Sequence, residues 1–62
     1  MEKIHVLLVE DEQTLAMIIK DTLEEQDFII TTAGDGEEGL RKFFEQKPDV
    51  LVAVSYTHLR AH

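Results

Sequence analysis

The sequence predicts an α/β fold, the first half of a doubly wound parallel sheet, and three observations carry that prediction. Short apolar runs at Ile4–Val9, Phe28–Ala33 and Val50–Ala53 have the length and composition of strands. Two segments of helical period, starting near Gln13 and Gly36, separate them. The connections are a few residues each. Strand, helix, strand, helix, strand in this order implies parallel pairing through right-handed crossovers. Such a β-α-β-α-β unit leaves a sheet edge and one face uncovered.

The first run, Ile4 to Val9, is nearly continuous in apolarity, as suits a parallel strand covered on both faces. From Gln13 to Gln26 the period changes. Leu15, Ile18, Ile19, Thr22 and Leu23 form the expected buried stripe, with Lys20, Asp21, Glu24 and Glu25 opposite. Phe28 to Ala33 is aromatic and β-branched, a second strand. Gly34-Asp35-Gly36 is a turn into a helix: Asp35 is a good N-cap, Glu38 occupies the capping-box position, and Glu37 suits the positive end of the helix dipole. Leu40, Phe43 and Phe44 are the expected buried stripe of this second helix, with Arg41, Lys42 and Lys47 toward its C-terminal end. Pro48 ends it. Val50 to Ala53 is the third strand.

A chain of 62 residues holds at most one small domain, and stand-alone folding is marginal at this size. It has no cysteine, so neither a disulfide framework nor a thiolate metal site compensates for a small core. With 13 acidic and 6 basic residues the formal charge is −7, which opposes contact with nucleic acid or an anionic membrane and favours cations or a basic protein patch. No apolar stretch is long enough to span a bilayer, and Met1-Glu2-Lys3-Ile4 lacks the pattern of a signal peptide. A cytoplasmic protein is the expectation.

The chemistry is concentrated where Val6-Leu7-Leu8-Val9 stops at Glu10-Asp11-Glu12. At roughly 5 Å and an effective dielectric of about 20, neighbouring carboxylates repel by roughly 3 kcal/mol. Water, a basic side chain or a divalent cation must offset this. In a doubly wound sheet, ligands bind beyond the carboxyl ends of the strands where strand order reverses. A hard-cation site there would take oxygen ligands from the first and third strand ends, with water completing an octahedron around Mg²⁺.

From these segments the chain resembles the receiver domain of two-component response regulators. The matching text is IHVLLVEDE at 4–12, LEEQDF at 23–28, AGDGEEGL at 33–40 and KPDVLV at 47–52, so that the resemblance runs from residue 3 to 53 without a gap. It implies a truncated flavodoxin-like fold with three parallel strands in the order 2-1-3. It also implies that Glu10 and Asp11 are Mg²⁺ ligands. In the family an aspartate ending the third strand attacks a phosphoryl group carried by a phosphohistidine of a partner kinase, giving an acyl phosphate. That aspartate is expected at position 54, where this chain has Val54. The family's later switch threonine or serine and its phosphate-binding lysine have no counterpart. The resemblance therefore implies a phosphorelay domain whose parent works with Mg²⁺, a sensor histidine kinase or phosphotransfer protein, and an output domain. The chain as written is expected to be inactive, with no enzymatic activity of its own. The alternative is a non-phosphorylated interaction module of the same fold. A nucleotide-binding enzyme is disfavoured, since neither G-x-G-x-x-G nor G-x-x-x-x-G-K-[ST] occurs.

After Ala53 the text changes. Residues 54–62, VSYTHLRAH, hold two of the three histidines and none of the 13 carboxylates. His58 and His62 are spaced for one helix face, but no third metal ligand lies nearby. The string resembles the translated read-through of a sequencing adapter, so residues 1–53 are assigned to the receiver portion and 54–62 to a non-native tail. Elsewhere the plainer roles are preferred. His5 is structural or surface-exposed, Asp35-Gly36 caps a helix, and Phe43 and Phe44 are core.

Overall fold

The computed structural model describes residues 3–54; the expectations for the tail beyond Val54, including His58 and His62, lie outside the described residues. Strands β1 (His5–Glu10), β2 (Ile29–Ala33) and β3 (Val50–Val54) alternate with helices α1 (Gln13–Glu25) and α2 (Gly36–Gln46). The sheet order is β2-β1-β3, and both pairings of β1 are parallel. This is the truncated receiver-type architecture expected from the sequence.

Register follows from the apolar pattern. In β1 alternate side chains point to opposite faces. Val6 and Leu8 join Ala16 of α1 and Ile30 of β2 in the buried core, with Ile19, Leu23, Phe28, Val52 and Val54 packed against it. Leu7, only 1% exposed, belongs to the other face, toward α2. The central position of β1 explains why its apolar run is unbroken: it is flanked by a strand on each side and by helices on both faces.

Helix α1 departs from the expected stripe. Ala16 is its buried residue, while Ile18 is 57% exposed and Thr22 is exposed, its hydroxyl donating back to the Ile18 carbonyl at 2.9 Å. The helix is rolled so that Ala16 is buried in the core and Ile19 and Leu23 pack against it. Lys20, placed on the polar side by its charge, is half-buried as a result. The C-terminal end is a Schellman motif. The Phe28 amide donates to the Leu23 carbonyl at 3.2 Å and the Asp27 amide to the Glu24 carbonyl at 3.1 Å, with Asp27 in the left-handed region at φ 72°.

Helix α2 departs further. Leu40, Phe43 and Phe44 are 60%, 37% and 68% exposed, not core. Its buried residue is Gly39, where an added Cβ would sit 2.7 Å from Val9 Cγ2. The helix rests on β1 and β2 through that glycine, and among the described residues its aromatic flank leaves Leu51 of β3 52% exposed. A groove of about 300 Å³ between α2 and β3 results. Of the basic residues expected toward the C-terminal end, Lys47 is the C-cap, while Arg41 and Lys42 lie before the last turn. Arg41 lies 3.7 Å from Glu45, and Lys42 3.2 Å from Glu38. The helix stops at Gln46, and Lys47 caps it at φ 50° just before Pro48.

Candidate functional site

The carboxyl ends of β1 and β3 lie side by side, with Val9 paired to Ala53 and Glu10 to Val54. Sequence position 54 therefore stands beside the acidic cluster. Strand alternation then divides the cluster. Glu10 has the parity of Val6 and Leu8 and turns toward α1, where it lines a cavity of about 310 Å³ with Gln13, Met17, Lys20, Thr32 and Glu38 among others. Asp11 is exposed and lines a second cavity of about 300 Å³ with Val54, Ala53 and the Gly34–Gly36 turn.

Glu10 is 2% exposed. Its Oε2 accepts from the Glu12 amide at 2.8 Å, satisfying an otherwise free donor at the start of α1. Glu12, the N-cap itself, makes no side-chain cap bond. Glu10 thus supplies from the strand a bond to the helix start that the N-cap side chain does not make. Its Oε1 is buried without a partner, the one such side-chain atom among the described residues. A buried carboxylate oxygen lacking a donor is costly, which suits a position that accepts a cation or a donor from outside the described chain.

The second cavity has a wall that the sequence reading treated only as a cap. Asp35 Oδ1 accepts from the Glu38 amide at 2.8 Å, as expected of an N-cap. The reciprocal bond differs from a standard capping box: Glu38 Oε1 accepts from the Gly34 amide, one residue further back, at 2.8 Å. That hydrogen bond, reinforced by Lys42, holds the Glu38 carboxyl below the usual carboxylate range. Lys42 also donates to the Thr32 carbonyl at 2.7 Å. The turn carrying Asp35 is pinned between β2 and α2, and the G-D-G spacing after a strand was the signal available for it. Across the first cavity, Lys20 is engaged by Glu24 at 2.9 Å, and that hydrogen bond raises the Lys20 ammonium above its ordinary value.

His5 lies at the opposite end of the sheet. Its Nε2 is 2.8 Å from Thr31 Oγ1, whose hydroxyl donates to Gln46 Oε1 at 2.9 Å, and its amide donates to Asp49 Oδ2 at 2.8 Å. These bonds tie the amino ends of the strands to the end of α2, in agreement with a structural role.

The donors are hard oxygens, as Mg²⁺ prefers, but the set is incomplete. Glu10 and Asp11 line different cavities, Val54 is paired with Glu10, and among the described residues no group of three Asp, Glu, His or Cys could hold a metal ion. No helix among the described residues is long and apolar enough to cross a membrane.

Comparison with known proteins gives the family. Residues 6–53 match the family described as response regulator receiver domain. The chain belongs to that family. Similar proteins include the alkaline phosphatase synthesis transcriptional regulatory protein PhoP of Bacillus subtilis, 38% identical over 47 residues that make up 76% of this chain and 20% of that protein. A protein described as a probable chemotaxis protein CheY, from Rhizobium etli, is 40% identical over 53 residues, 84% of this chain and 41% of its own length. A protein-glutamate methylesterase/protein-glutamine glutaminase of Caldanaerobacter subterraneus is 44% identical over 52 residues, 81% of this chain and 14% of its own. The receiver-type chain thus spans less than half the length of each of these relatives. No solved structure matches it.

Proposed function

We propose that residues 1–53 are the N-terminal portion of a phosphoacceptor domain and that residues 54–62 are a non-native tail. In the parent protein an aspartate at position 54 would attack the phosphorus of a phosphohistidine on a sensor kinase or phosphotransfer protein. The new O–P bond forms as the P–N bond breaks, and the imidazole leaves with the electron pair. Glu10 and Asp11 would serve there as Mg²⁺ ligands, the cation supplying charge neutralisation. With Val54 in place the chain neither offers the nucleophile nor completes the ligand set, so it does not accept phosphate. An output domain or partner would read the phosphorylated state in the parent.

The observation that supports this reading is the β1–β3 register, which sets position 54 directly beside Glu10 while Asp11 opens onto the same cavity as Val54. The test compares the chain with Val54→Asp under acetyl phosphate and Mg²⁺, using intact mass. A hydroxylamine-labile phosphoryl adduct is expected on Val54→Asp alone. An adduct on the unaltered chain would overturn its inactivity, and no adduct on a Val54→Asp chain with helical circular dichroism would overturn the site.

One observation favours a second reading. Val54 is half-buried and packs against the α1-side core, as a valine selected for that place would. The alternative is a non-phosphorylated interaction module of the same fold. Re-reading the source DNA past codon 53 separates the two: an Asp codon at 54 supports phosphotransfer, and a reproducible Val codon followed by a complete domain supports the module.

A further inference from the structure

We draw no further inference here: the strongest candidate, the apolar groove between α2 and β3 bordered by Gly39, Leu40, Phe43, Phe44 and Leu51, is an unpartnered face, and nothing in the structure shows what covers it.

Discussion

The two faces of the sheet both carry apolar side chains and reach different degrees of burial. On the α1 face, Val6, Leu8, Ala16 and Ile30 are buried together, and Val52 and Val54 of β3 close the cluster. On the α2 face, Leu7, Ala33 and Gly39 are buried, while Leu40, Phe44 and Leu51 stay more than half exposed. The difference is one of coverage. Helix α1 connects neighbouring strands and lies across a core to which all three contribute, whereas α2 rests on β1 and β2 and, among the described residues, leaves β3 uncovered on its side. A helical apolar stripe specifies a face that can be buried; whether it is buried depends on a third surface.

The largest test of this contrast pairs a substitution from each face. Leu8, fully buried, should cost about 2–5 kcal/mol when changed to Ala, enough to unfold a chain of this size. Phe44→Ser should change stability by only about 0.5 kcal/mol or less, since so little of the ring is removed from water. Urea melts followed by circular dichroism measure both. A comparable loss from Phe44→Ser would mean that the α2 face is closed in solution, by self-association for example, and the loss would then grow with protein concentration.

A smaller effect is expected where Gly39 of α2 meets Val9 of β1. Gly39→Ala drives a Cβ to within 2.7 Å of Val9 Cγ2. Overpacking costs about 1–3 kcal/mol, and the better helix propensity of alanine returns up to about 1 kcal/mol. A net loss of about 1 kcal/mol is expected, and it should shrink or vanish in a Val9→Ala background, where the clashing methyls are gone. Equal losses in both backgrounds would show that α2 is free to shift away from β1.

Next in size is the Schellman turn that delivers the chain from α1 into β2. Asp27 holds φ 72° there, a region costing L-residues roughly 1–2 kcal/mol and aspartate less. Asp27→Gly relieves that strain but frees the unfolded chain by about 0.4–1 kcal/mol. A gain of about 0.5 kcal/mol is expected in the same melts. The accompanying Lys3–Asp27 pair, 3.6 Å apart and exposed, offsets little of it. A loss on substitution would mean that the aspartate side chain itself holds the turn.

The alternation of elements and the parallel pairing were legible because they rest on local signals: β1 is continuous in apolarity, Asp35 and Glu38 mark a helix start, and short connections force crossovers, whereas the strand order came from the family resemblance. The exposed fates of Ile18, Leu40 and Phe44 were not, because periodicity names a stripe without naming its cover or the roll that a small residue such as Ala16 or Gly39 permits. At the site, Glu10 and Asp11 were legible as a pair. Their separation onto two faces follows from strand parity extended one residue past Glu10, and the β1–β3 register that brings Val54 to them needed the three-dimensional pairing. Glu10 as the acceptor for the Glu12 amide was hidden, since capping is ordinarily sought at the N-cap itself and here comes from two residues before it.

The smallest expected effect concerns the turn that borders Asp11. The Gly34 amide and Lys42 stabilise the charged form of Glu38, so its carboxyl titrates lower in the folded chain than in the unfolded one. A depressed carboxyl contributes its stabilisation fully above the unfolded value, about 4.3, and loses it as pH falls through the lower folded value. The turn should therefore loosen only below about pH 4.3, and Glu38→Gln should reduce that acid dependence while leaving amide protection of Leu8 on the α1 face unchanged. Hydrogen exchange at Gly34 and Glu38 across this range reads the effect directly. Simultaneous loss of protection at Leu8 would mean that the turn and the α1 core unfold as one unit, and that the two faces of the sheet are less independent than their packing indicates.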